Sequence, residues 1–175
     1  ANGILLILWD KDWRLNINQI IGDSLMYWKQ LIPNISIDIN ILSSELNEFF
    51  RQRIASLLED KQIDFDIIQA IAGDTNSTSK LLDDPTDVHF RTLLLMDMRK
   101  NNKLNLLQAV VTRASKLAAK SSIPNEIIDP SDCVDKSLFE KSCENEMFNV
   151  LEKLRPLAIN GDRSKYKLLA DGLVS

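Results

Sequence analysis

Apolar residues recur every three or four positions along almost the whole chain, the spacing of helices that bury one face. Leu46, Phe49, Phe50, Ile54, Leu57 and Leu58 form one such stripe, and Ser43 or Ser44 can cap its helix. Asn16 or Asn18 caps an earlier helix through Ile20, Ile21, Leu25 and Trp28, which Pro33 stops. Asp64 opens Phe65 to Ile71, and Gly73 closes it. The polar run Asp74 to Ser79 reads as a loop, and Asp84-Pro85 starts a helix over Val88 to Arg99. Asn101-Asn102 interrupts the pattern, which resumes from Asn105 to Lys120 with Leu106, Leu107, Val110, Val111, Ala114, Leu117 and Ala118 on one side. Past Pro124 an acidic stretch with Asp129-Pro130 reads as a loop. Two further helices fit Lys141 to Arg155 and Arg163 to Leu173, separated around Pro156 and Asn160-Gly161.

Strand-like alternation occurs only at Ile35 to Ile41, as a short strand or an extended linker. The expected fold is therefore all-α, with a boundary here: residues 1–34 as a helical remnant of a preceding region, and 35–175 as the main helical domain. No internal repeat interrupts this order.

Composition keeps that picture. With 45% hydrophobic and 26% charged residues among 175, the chain has the balance of an ordinary globular domain. Its apolar runs, Ile4 to Trp9 and Leu93 to Met96, are too short to span a membrane. The opening residues lack the basic start and small-residue cleavage site of a secretory signal, and read as the end of an apolar helix within a longer chain. Trp9, Trp13 and Trp28 are expected to pack in this first region, and Phe49, Phe50 and Phe90 in the core. Cys133 and Cys143, with no histidine near them, are too few for a zinc site and are expected to be free thiols.

A catalytic centre is hard to assemble from these residues. The one histidine, His89, lies in the first turn of an apolar helix and reads as structural. Five scattered glycines build no phosphate-binding loop, and no serine or cysteine sits in a nucleophile turn. The acidic pairs Glu59-Asp60 and Asp83-Asp84 fall at helix ends, where capping explains them. No catalytic residue and no metal ligand set is expected in this chain.

Charge distribution supplies the feature with functional content. The chain carries −4 overall, yet residues 89–120 hold Arg91, Arg99, Lys100, Lys103, Arg113, Lys116 and Lys120 against Asp97 alone. That segment is +6 and the remainder −10. Arg113, Lys116 and Lys120 stand at i, i+3 and i+7, so they share a helix face. A cationic cluster with arginine in it points to a polyanion, and Arg91, Arg99, Lys103, Arg113, Lys116 and Lys120 are the expected phosphate contacts. Tyr166 is the aromatic held open for stacking on a base.

Several segments resemble one family. Glu48-Phe-Phe-Arg-Gln-Arg-Ile54 followed by Ile63-Asp-Phe-Asp-Ile-Ile-Gln-Ala-Ile71 is similar to the paired helices that begin the C-terminal domain of the glycyl-tRNA synthetase β subunit. Thr112-Arg-Ala-Ser-Lys-Leu-Ala-Ala-Lys120 is similar to that domain's basic helix, with an ending closer to cyanobacterial or plastid members. Val134-Asp-Lys-Ser-Leu-Phe-Glu140 and Glu146-Met-Phe-Asn-Val-Leu151 resemble its next helix, and Ala1-Asn-Gly-Ile4 with Leu15-Asn-Ile17 the segment upstream. The resemblance implies a helical bundle of the DALR type, the anticodon-binding domain shared with arginyl-tRNA synthetase. It implies glycine tRNA as ligand, and an α subunit as partner in a tetramer of two α and two β subunits. ATP and glycine would be used by the intact enzyme, at a site on the α subunit, with no cofactor in this part. The location implied is the cytoplasm or the plastid stroma, with no membrane partner. Family members continue past Leu168-Leu-Ala170 into further helices, so the domain reads as truncated at its C-terminus. The competing expectation is a helical protein-interaction module for subunit assembly, using the acidic segment Glu126 to Glu146 or the N-terminal tryptophans, without direct RNA binding.

Overall fold

The computed structural model describes residues 1–32, 38–73, 78–120 and 129–174, and all regular structure among them is helical. Ten α-helices follow one another: α1 Asn2–Lys11, α2 Ile17–Leu31, α3 Ile39–Asp60, α4 Phe65–Ala72, α5 Thr78–Asp83, α6 Pro85–Lys100, α7 Leu104–Ala118, α8 Pro130–Cys133, α9 Ser142–Asn160 and α10 Tyr166–Val174. Short 3-10 turns at Lys136–Leu138 and Arg163–Lys165 precede α9 and α10. The chain divides into two compact units, Ala1–Met96 and Asp97–Ser175, with the division inside α6. The boundary expected at 34/35 falls outside the described residues.

In the first unit, α1 to α5 and the start of α6 close around one core. Leu5, Leu8, Trp9, Ile17, Ile21, Ile54, Leu58, Ile68, Leu82 and Val88 are buried together, with Phe50 packed against them. Each such side chain taken out of water stabilises by about 1.5–3 kcal/mol. Local sequence starts these helices as their caps demand. The Asn16 side chain accepts the Gln19 N–H at 2.8 Å, and Asp84 accepts that of Asp87 at 3.1 Å.

Helix α3 starts earlier than its serines suggested. The Asp38 carboxylate accepts the N–H groups of Asn40 and Ile41, so Ile39 to Ile41 are helical and Ser43 and Ser44 lie inside. A strand or extended linker over the second half of 35–41 is thereby corrected; positions 35–37 lie outside the described residues. The loop expected at 74–79 ends sooner, because Thr78 and Ser79 already belong to α5. Trp9 is buried as expected, but Trp13 and Trp28 are exposed, and Phe49 is exposed beside Phe50.

The second unit repeats one starting device three times. Asp129, Asp135 and Asp162 each accept the backbone N–H and the hydroxyl of the serine two residues on, Ser131, Ser137 and Ser164. These hydrogen bonds, led by the serine hydroxyls, hold all three carboxyls below the usual aspartate range. Asp129-Pro130 thus begins a short helix where a loop was expected. Pro156 also fails to end its helix. It forfeits one backbone hydrogen bond, while Leu154 just before it is buried, and α9 continues until Gly161 takes up the left-handed conformation.

Candidate nucleic-acid interface

The cations expected to meet phosphate divide into two sets. Arg91 belongs to the first unit, where its Nε sits 2.7 Å from the Asp87 carboxylate one turn back on α6. Both residues line a cleft of about 650 Å³ with Lys80, Asp83, Asp84 and Leu95. Arg99 is half-buried and already engaged. Lys103 donates to Asp171 on α10 at 2.6 Å, a contact that ties the start of α7 to α10. Asp97, the one acid of the basic segment, is held by Lys167 on α10 at 2.8 Å and by Asn101 at 3.1 Å. The Lys167 contact first of all keeps the Asp97 carboxyl below its usual range, and the same contact raises Lys167.

Arg113, Lys116 and Lys120 are different. All three are exposed, and none has an ion pair among the described residues. They follow one another along one side of α7 and its C-terminal turn, over roughly 10 Å of helix axis. Several carboxylates of this unit are committed elsewhere. Asp129 pairs with Arg155, Glu152 approaches Lys136 at 3.9 Å, and the Glu144 side chain accepts the N–H groups of Glu140 and Lys141.

The apolar side of α7 does not reach a core. The helix has no buried residue; Leu106 is 57% and Leu117 70% exposed, and Val110 and Val111 are also open. At 100° per residue, Leu106 and Leu117 fall next to Arg113 on the helix surface. The exposed face is therefore an apolar strip bordered by unpaired cations, a property that periodicity alone could not distinguish from a core-facing stripe. Tyr166, the residue held open for base stacking, is half-buried and engaged where the 3-10 turn passes into α10.

Other candidate chemistry is absent from the described residues. No group of three or more histidine, cysteine or acidic side chains could hold a metal ion, and Cys133 and Cys143 are both exposed and unpaired. No helix among them is long and apolar enough to cross a membrane. His89 is stacked on Trp9 with ring centroids 4.7 Å apart. No sequence spacing links those two residues, and the contact was not foreseen.

Against this geometry, the family model described as glycyl-tRNA synthetase beta subunit matches residues 1–73, which are α1 to α4 with their caps. The chain is 32% identical to the glycine–tRNA ligase β subunit of Acaryochloris marina over 176 residues, 99% of this chain. It belongs to the glycyl-tRNA synthetase β-subunit family. The β subunit of Gloeothece citriformis is also 32% identical, over 177 residues and 99% of the chain, and that of Clostridioides difficile 26% over 155 residues and 89%. The chain spans about a quarter of these relatives' length, 24% of the first two and 20% of the third. Matches run through both units, so family likeness extends beyond the segment that the family model covers. No solved structure matches the chain.

Proposed function

We propose that this chain is a tRNA-binding, anticodon-binding part of a glycine–tRNA ligase β subunit, supporting the ATP-dependent attachment of glycine to its tRNA from the cytoplasm or plastid stroma. The observation that carries the reading is the row of three exposed cations along α7 and its C-terminal turn, none with an ion pair among the described residues, in a chain of net charge −4. Arg113, Lys116 and Lys120 contact phosphates and position the RNA, and such contacts give affinity more than base discrimination. Arg91, Arg99 and Lys103 shape and hold the surrounding helices, since each already has a partner. The chain itself is non-catalytic: its sole histidine is stacked on an indole, and ATP and glycine are handled by the α subunit of a tetramer of two α and two β subunits. The bundle is of the DALR type, with residues 35–175 as the anticodon-binding domain.

A fluorescence titration with glycine tRNA at several salt concentrations tests the reading. Three phosphate contacts give log K falling with a slope of roughly −2 to −3 against log salt. Arg113→Glu with Lys116→Glu lowers that slope by about 2 and weakens binding at every concentration. A flat salt response contradicts the proposal.

One observation favours a second reading, subunit docking through the same helix. Leu106, Val110 and Leu117 present an apolar strip where RNA needs only charge. Leu106→Gln with Leu117→Gln separates the two: loss of α-subunit co-purification with tRNA affinity intact assigns the strip to protein.

A further inference from the structure

We propose that Lys61, Trp9 and His89 form an acid-sensitive clasp that fastens α1 to α6 while His89 is neutral and loosens α1 when the imidazole takes up a proton. The clasp joins residues 80 positions apart in the sequence. Trp9 on α1 lies with its indole parallel to the His89 ring, 4.7 Å between centroids and 9° between planes. Its Nε1 donates to the Pro85 carbonyl at 2.9 Å, one turn before His89 on α6. The Lys61 ammonium, at the end of α3, stands 5.6 Å from the Trp9 ring centroid. Around them the Thr86 hydroxyl donates to the Trp13 carbonyl at 2.6 Å, so the same turn of α6 grips the chain on both sides of α1's end.

Two features of this cluster oppose an imidazolium. First, the Nδ1 of His89 is buried and has no hydrogen-bond partner among the described residues. A proton added there would place an N–H donor where nothing accepts it, and a buried unpaired donor is costly. Second, the Lys61 ammonium stands over the same indole and repels an imidazolium, which opposes the attraction that the electron-rich ring offers to a cation.

Among the described residues, no carboxylate offsets the Lys61 charge at His89. One turn either way on α6, His89 is flanked by Pro85, Thr86, Thr92 and Leu93, none of them ionisable. On α1, Asp10 and Lys11 pair with each other in solvent. Arg14 and Asp84 pair together, as do Arg91 and Asp87, while Asp83 accepts from Asn16 and Asn18. Glu59 and Asp60, beside Lys61 on α3, are exposed. Burial, and then the Lys61 charge, push the imidazole below its ordinary value.

The element that loosens is specific. Leu5, Leu8 and Trp9 are the residues that α1 buries, so a proton on His89 weakens the packing of α1 before that of the α3–α4 core. Because His89 is the only histidine, its imidazole resonances need no assignment. Proton–carbon NMR of the 175-residue chain between pH 8 and 5, with hydrogen exchange and emission of Trp9 in a Trp13→Phe, Trp28→Phe background, tests the clasp. The expected midpoint for His89 lies below 6.5, accompanied by faster exchange over Asn2–Lys11 and a red shift of Trp9 emission. Lys61→Met raises the midpoint, and His89→Phe, which keeps a stackable ring, removes the emission change. If His89→Phe does not fold, the Lys61→Met shift and the unsubstituted titration still decide the matter. A midpoint at or above 6.5, or a His89 titration with no change in α1, overturns the proposal.

Discussion

The two units handle the same kind of amphipathic helix in opposite ways. In Ala1–Met96, the stripe on α3 is closed over by its neighbours, and Ile54 and Leu58 have no exposed surface. In Asp97–Ser175, α7 has an equally regular stripe that stays open, and the buried side chains of that unit are few among the described residues: Met98, Phe148, Leu154 and Ala170. Charge sets α7 apart within its own unit. Arg14, Arg51 and Arg91 each pair with a carboxylate in the first unit, as Lys103, Arg155 and Lys167 do in the second, whereas Arg113, Lys116 and Lys120 have no ion pair among the described residues. An amphipathic pattern therefore identifies a helix with one apolar side, and only the surroundings decide whether that side makes a core or a surface.

The largest test of the contrast is truncation in each stripe. Leu58→Ala should cost about 2–5 kcal/mol of unfolding free energy in urea, because the site is sealed and leaves a cavity. Leu117→Ala should stay within about 0.5 kcal/mol, because that side chain is open already. Equal losses would mean that α7 is covered in solution. A smaller effect is expected at Thr86→Val, which removes the donor to the Trp13 carbonyl, by about 1–2 kcal/mol in the same assay.

Acid sharpens the comparison further. His89 is lowered by burial and by Lys61, so its folded value lies under its unfolded one. The stability it contributes is present above about 6.5 and is lost as pH falls from there. Glu48, held mainly by the Arg51 guanidinium, is lowered from 4.5 to about 2, so its share is present above 4.5 and is lost as pH falls toward 2. Thermal melts between pH 8 and 3 should first lose stability below 6.5, and His89→Phe should remove that first step while leaving the lower one. The smallest effect is expected at Lys103→Gln, within about 1 kcal/mol, because both it and Asp171 are partly in solvent.

The longer helices and most of their starts were legible because they depend on neighbours in sequence, whereas the short α5 and α8 were not. Asn16, Asp64 and Asp84 stand where local capping rules put them, and Asn102 takes the left-handed turn between α6 and α7. Asp38 was missed because an alternating Ile-Ser-Ile-Asp-Ile pattern masked a cap, and Pro156 because a proline inside a helix is tolerated when packing on the same helix continues. The candidate site was legible in composition and not in detail. Six cations could be read from the +6 segment, but ion pairs to Asp87 and Asp171 are contacts between side chains whose positions only the folded chain sets. The Trp9–His89 stack, between residues 80 positions apart, is of the same kind.

The central claim is that unpaired cations on α7, and not the paired ones, meet tRNA. Titrating glycine tRNA into the chain carrying Arg113→Glu and Lys116→Glu, beside one carrying Arg91→Gln and Lys103→Gln, tests it most directly. The account predicts that the first pair weakens binding at least tenfold and flattens the salt dependence, and that the second leaves both within about twofold. The reverse order, or equal losses from both pairs, would contradict it.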